Sequence, residues 1–335
     1  MNPALYQLSY AAAQGTHKYT ITGVIWANHQ SFHWALRVAA FTMTRPNSDG
    51  LLPGTGASPP GESDMAEPSR KIDLLISDID GTLLTPGKTL TARARGVVRR
   101  LQEAGIGLKL VSSRPPRGMS PLLQTLGLTG TMAGFNGGQI FTADLTVVEE
   151  HPLPVAMLPE LLECLRQHTL DAWLYRGCQW LVPRLNGPHV EREIHAVGFA
   201  PVLYDRDALP GTGVVKVVGV SDDSSAVAHG AQAVRDIFAD QLSVSSSQPY
   251  YLDITHPLAN KGVAVQTLAR GVGIDLAKVA TIGDMAADTL MFAQSAMSIA
   301  MGNAEDAVKS RATYVTTTNA EEGFARAVEK YILAR

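Results

Sequence analysis

The 335-residue sequence predicts an α/β fold: a Rossmann-like parallel sheet with helices on both faces, interrupted by an inserted α+β domain. Three observations carry this. From Lys71 onward, short apolar runs alternate with amphipathic stretches in a βαβαβ rhythm. Between about 153 and 247 hairpin signals and helices mix without that rhythm. From about 248 strand and helix alternate again. The expected organisation is therefore a core from 71–152 and 248–335 with an inserted domain over 153–247.

Residues 1–70 differ from the rest. Positions 46–70 hold five Pro and four Gly, a composition that cannot repay chain ordering and reads as a linker. The whole segment is expected to be a disordered extension with at most one short helix near 31–43, and an ordered pattern beginning just after Met65 makes that residue a candidate start.

Each core element has its own signal. Residues 72–77 are an apolar run ending before acid, the mark of a buried strand. Val97, Val98, Leu101 and Ala104 share one face of a helix over 91–104, with Thr91 as N-cap and Gly105 as stop. A strand follows at 106–111. Pro115 and Pro116 open a helix reaching about 126, and a third strand covers 131–135. A hairpin is expected over 139–150.

In the insertion, Leu158, Leu161, Leu162 and Leu165 line a helix, and Arg176-Gly177 turns a hairpin between strands 171–175 and 178–182. A helix (187–197), strands (201–204 and 213–220), a helix (224–239) and a strand (241–246) complete it. The core then resumes with strands at 250–255, 278–282, 296–300 and 313–316, and helices at 260–270, 286–294, 304–310 and 321–334.

Composition excludes several classes. Lys+Arg 28 against Asp+Glu 31 leaves −3, without the clustered positive charge of a nucleic-acid binder. Four arginines on one helix, Arg93, Arg95, Arg99 and Arg100, read as a solvated face. No run of 18 apolar residues exists, so no membrane span is expected. The two cysteines, Cys164 and Cys178, form no CxxC pair and read as buried thiols of a reducing, cytoplasmic compartment. No coiled-coil heptads indicate an oligomeric state.

Ligands of open α/β sheets bind beyond the carboxyl ends of the strands. There the sequence places Asp78-Ile79-Asp80-Gly81-Thr82-Leu83, Ser112-Ser113-Arg114, Asn136-Gly137-Gly138, and Gly283-Asp284 with Asp288 four residues on; Asn260-Lys261-Gly262 opens a helix. Clustered carboxylates repel one another unless a cation neutralises them, and an oxygen-only donor set suits Mg²⁺. Lys261 supplies positive charge for a phosphoryl group, Ser112 a donor, and a carboxylate can act as nucleophile. Each piece alone has a plainer explanation: a turn for DxDG or Asn-Gly, a surface lysine for Lys261, a helix first-turn acid for Asp288. Their joint order at successive strand ends outweighs these.

With these residues the chain resembles the haloacid dehalogenase superfamily, and within it the Cof-type phosphatases with a mixed α/β cap, over about 71–335. DIDGTL at 78–83 is the most specific match. VSSR at 111–114 is similar to the family's ATGR, NKG at 260–262 matches its lysine motif, GDMAAD at 283–288 resembles GDGxND, and Ala300–Ala304 matches a further segment. The resemblance implies a Mg²⁺-dependent phosphomonoester hydrolase that forms an aspartyl-phosphate, acting on sugar phosphates or similar small phosphorylated metabolites. It implies Asp78 as nucleophile and metal ligand, and Asp80 as general acid and base with its carbonyl on the metal. Asp284 would be a metal ligand, and Ser112, Lys261 and Asn136 would contact the phosphoryl group or substrate. Asp288 and Thr82 would act in support. Cap residues Trp173, Tyr175, Arg176, Trp180 and Arg184 are candidates for reading the leaving group. Ala287 where the family has Asn, Ser113 where it has Gly, and Ser112 where it has Thr are departures. A phosphomutase or phosphotransferase, or a weakly catalytic phosphate-binding regulator, would carry the same residues.

Overall fold

The computed structural model describes residues 4–8, 21–25, 71–205 and 212–334. Strands β1 (Ala4–Leu8) and β2 (Ile21–Ile25) pair antiparallel as a unit of their own. The expected linker, the helix near 31–43 and the start at Met65 lie outside the described residues.

The core sheet contains β3 (Leu74–Ser77), β4 (Gly107–Leu110), β14 (Val279–Gly283), β15 (Met297–Ala300) and β16 (Tyr314–Val315). They run parallel in the order β16-β15-β14-β3-β4. All four residues of β3 are buried, because both faces of the sheet are covered. Leu75 packs with α1 (Ala92–Glu103), α2 (Pro116–Leu126) and α9 (Gly323–Ala327), whereas Leu74 and Ile76 pack with α6 (Lys261–Gly271) and α7 (Thr289–Phe292).

Helix α1 starts as its sequence dictates, with the Thr91 hydroxyl accepting from the Ala94 N–H at 3.0 Å. Its buried face is Ala94, Val97, Val98 and Leu101; Ala104, expected on that face, is the exposed C-cap residue. The arginines do form a solvated face, with Arg93 and Arg100 paired to Glu329.

Strand β5 (Thr131–Gly134) touches the parallel sheet through a single bridge, Val111 to Ala133. Its main partner is β6 (Gln139–Thr142), which with β7 (Val147–Glu150) makes an antiparallel three-stranded sheet.

The second domain is built on a six-stranded sheet, ordered β10-β9-β8-β11-β13-β12. These strands are β8 (Asp171–Arg176), β9 (Gln179–Val182), β10 (Val202–Leu203), β11 (Val214–Val220), β12 (Ser243–Gln248) and β13 (Tyr251–Thr255). Helices α3 (Leu158–Gln167) and α5 (Ser224–Phe238) cover one face. Helix α4 (Val190–Val197) and Phe135 of the core lie against the other.

This corrects the expected boundary. The sequence pattern places the strand at 250–255 in the resumed core, but β13 pairs antiparallel with both β11 and β12. An apolar run shows that a strand is buried, not which sheet receives it. The second sheet thus takes residues through 255, and the chain crosses between the two sheets near 151–154 and 256–260. The short helix α8 (Asp306–Lys309) completes the core. Cys164 is buried, while Cys178, in the β8–β9 turn, is half-buried; both are free. No helix among the described residues is long and apolar enough to cross a membrane.

Candidate active site

The carboxyl end of β3 delivers Asp78 to a buried position. Its Oδ1 lies 2.6 Å from Lys261 Nζ. Lys261 is the first residue of α6, behind the N-cap Asn260, whose side chain accepts from the Val263 N–H. A lysine is unfavourable at the positive end of a helix dipole; here two carboxylates hold it. The second is Asp288, whose Oδ1 is also 2.6 Å from Nζ. The other oxygen of Asp288 accepts from the N–H groups of Asp284 and Met285, each at 2.8 Å. Asp288 thereby caps the turn that follows β14 and fixes Asp284 beside it.

Asp284 accepts from the Thr82 hydroxyl at 3.0 Å and from Asn303 Nδ2 at 3.3 Å. Asn303 also donates to the Gly81 carbonyl and accepts from the Asn319 N–H. Two glycines make room. Gly81 has φ +87°, and a Cβ there would stand 2.2 Å from an Asp284 oxygen. A Cβ on Gly283 would stand 2.4 Å from Asp288 Cγ.

Asp78, Asp284 and Asp288 each offer an oxygen within 4.8 Å of the others. Three buried carboxylates share one ammonium, and burial together with the surplus negative charge shows in the acidities of Asp78 and Asp284. Burial pushes the Asp78 carboxyl up to about 8, with Asp288 and Asp284 adding to the effect and Lys261 opposing it. Burial, then repulsion from Asp288, lifts Asp284 to about 6. Burial opposes the charge on Lys261, but attraction to Asp288 and Asp78 outweighs it and holds the ammonium above its ordinary range. A site with excess charge and only oxygen donors fits a hard divalent cation.

Ser112 is buried at the adjacent strand end, its carbonyl accepting from the Asn136 N–H and its hydroxyl from the Arg114 N–H. Asn136 adopts the left-handed conformation, φ 58°, and its buried Oδ1 has no hydrogen-bond partner. A cavity of about 250 Å³ joins Asn136 and Lys261 to Lys216 and Asp253 of the second domain.

Asp80 stands apart from the lysine cluster. Arg114 grips its carboxylate with two bonds, of 2.6 and 2.7 Å, and Lys88 adds a third at 2.6 Å. Burial would raise its pKa, but these bonds prevail and hold it below the usual carboxylate value. The structure therefore joins Asp78, Lys261, Asp284, Asp288 and Thr82 in one network and puts Ser112 and Asn136 beside it, while Asp80 faces Arg114. Arg114, Lys88 and Asn303 were not singled out from sequence. Arg114 and Asn303 lie within quoted motifs; Lys88 carries no signal beyond its turn.

The cap candidates fare differently. Trp173, Tyr175 and Trp180 form a buried aromatic cluster. Arg184 pairs with Asp171, and Arg176 lines a separate shallow depression beside Cys178.

Comparison with known proteins places this geometry. The profile of the haloacid dehalogenase-like hydrolases matches residues 75–328. A haloacid dehalogenase-like hydrolase from Bacteroides thetaiotaomicron superposes with TM-score 0.70 at 30% identity, covering 78% of this chain and 99% of that one. A pyridoxal phosphate phosphatase of Escherichia coli is 27% identical over 78% of this chain and 98% of its own. A 5-amino-6-(5-phospho-D-ribitylamino)uracil phosphatase of Bacillus subtilis is 22% identical over 78% and 96%. The chain belongs to the haloacid dehalogenase-like hydrolase family, in its Cof-type branch.

Proposed function

We propose that this enzyme is a Mg²⁺-dependent phosphatase that hydrolyses phosphomonoesters of small metabolites, sugar phosphates foremost, through an aspartyl-phosphate at Asp78. The observation that carries the proposal is Lys261 bridging Asp78 and Asp288 beside Asp284, in the lining of a cavity. Relatives that align over 71–78% of this chain are named as phosphatases of small phosphorylated compounds.

Asp78 attacks phosphorus in line as the ester oxygen departs. Lys261 neutralises charge on the transferring group, and the Ser112 hydroxyl donates to it. Asp78, the Asp80 carbonyl and Asp284 would hold the Mg²⁺, which when bound supplies further charge neutralisation. Asp288, with one oxygen on Lys261 and the other on two backbone amides, positions the lysine and the Asp284 turn.

Asp80 serves as acid to the leaving alcohol and then as base to water. Its carboxylate must first leave Arg114 and Lys88, which favour the ionised form. Closure of the second domain over the site would bring substrate between them and exclude water.

Phosphate release from a panel of phosphomonoesters, with Mg²⁺ and with EDTA, tests the assignment. We expect metal-dependent release that Asp78→Asn lowers by about a thousandfold or more, the scale of losing a nucleophile. Isomerised ester without free phosphate would instead identify a mutase.

A further inference from the structure

We propose that the Lys216–Asp253 pair on the inner face of the second domain reads the leaving group, selecting an alcohol with neighbouring hydroxyls, a neutral polyol or sugar, over one with a second anionic group. The proposal rests on the phosphatase assignment above.

Register puts the pair where a leaving group would reach. Along β13, Leu252 and Ile254 face α3 and α5, so Asp253 and Thr255 face the core. Lys216 lies opposite Thr255 across the β11–β13 ladder. Lys216 Nζ and Asp253 Oδ1 are 2.8 Å apart, with side chains only 11% and 8% exposed. The cavity that Lys261 lines is lined by this pair as well. A group esterified to a phosphoryl at Lys261 therefore extends toward them.

The surroundings define what fits. Glu193 accepts from the Tyr175 and Tyr251 hydroxyls at 3.3 Å each; burial raises its carboxyl above the ordinary value, while Lys216 attracts its charge and Asp253 repels it. Two carboxylates thus stand around one ammonium, a balance that repels a second phosphate or carboxylate on the substrate. Ser243 and Ser245 of β12 line the same cavity, and Asn136 brings to it an acceptor without a donor. Another part of the wall is Ala287 and Leu290. With alanine in place of the asparagine usual in the family, that wall is apolar and suits the C–H face of a ring. Two neighbouring hydroxyls match the pair itself, one donating to Asp253 and the next accepting from Lys216. An alcohol lacking them would desolvate the ions and return no hydrogen bonds.

The test uses the full chain with Mg²⁺, comparing kcat/KM for D-glucitol 6-phosphate, 4-nitrophenyl phosphate and 2-phosphoglycolate in the wild type, Asp253→Asn and Lys216→Met. The wild type should prefer the polyol ester. Each substitution should cost the polyol ester about tenfold more than it costs 4-nitrophenyl phosphate, chiefly in KM, and Asp253→Asn should narrow the gap to 2-phosphoglycolate. A wild-type preference for 2-phosphoglycolate, or equal losses on all three esters with a lowered Tm, would overturn the proposal and make the pair a structural brace. Binding of the non-hydrolysable phosphonate analogue of D-glucitol 6-phosphate, followed by calorimetry, reads the pair without turnover. If no ester is hydrolysed the phosphatase assignment fails, and about tenfold weaker phosphonate binding by Asp253→Asn still supports the pair's role, whereas unchanged binding overturns it.

Discussion

Lys261 neutralises one of the three negative charges that Asp78, Asp284 and Asp288 can carry, so protons must take the place of any missing cation. In the metal-free protein the Asp78 carboxyl rises to about 8 and Asp284 to about 6, against an ordinary 3.8. Both folded values exceed the unfolded one. Their ionisation therefore costs folded stability, which is fullest below pH 3.8 and falls as pH rises toward 8. A cation must displace these same protons to bind. The Tm gain from Mg²⁺ over EDTA is accordingly expected to be larger at pH 8.5 than at pH 5.5, and Asp284→Asn should flatten the difference. Asp78, Lys261, Asp284 and Asp288 were legible in the sequence because each follows a strand or opens a helix at the ligand-binding edge. The pairing of Asp80 with Arg114 was not, because side-chain torsions choose it and no spacing encodes them. The buried aromatics Trp173 and Trp180 were open to two meanings for the same reason: alternation puts a residue on a face, but packing decides whether that face is wet.

At the scale of elements, the loop after β3 depends on backbone freedom at one position. Gly81 combines positive φ with an approach to Asp284 that no Cβ could survive. Gly81→Ala should lower the Tm and reduce phosphate release, since either the loop or the Asp284 carboxylate must move. The contrast is Gly96 in the interior of α1, where a Cβ meets nothing within 4 Å and φ is not positive. Gly96→Ala should stabilise the protein by about 0.5–1 kcal/mol with no effect on turnover, as removal of a helix-interior glycine does. Denaturant unfolding of both variants checks the pair. Such local signals explain why α1, with its Thr91 cap and buried stripe, was readable nearly to the residue. They also explain what was missed. The run at 251–255 satisfies strand chemistry in either sheet, and only its long-range partners, β11 and β12, assign it.

For the whole molecule, the two crossings between the sheets meet in a histidine pair. His151 lies on the outgoing crossing and His256 on the return, their rings stacked at 5.9 Å between centroids. Glu149 stands 3.5 Å from His151 and is itself 3.8 Å from Arg270. Burial, then the nearby His151, holds His256 below its ordinary 6.5. A histidine depressed in the folded state disfavours its charged form there, so stability is full above 6.5 and is lost as pH falls through the lower folded value. Proton NMR titration should find His256 below 6.5. His151→Gln should move it only part of the way back, because burial, the larger cause, remains. If the midpoint of His256 is ordinary and indifferent to His151→Gln, the rings do not stay stacked in solution. A depressed midpoint that responds to His151 means instead that the rings stay together, and acid would then weaken the contact between the two crossings.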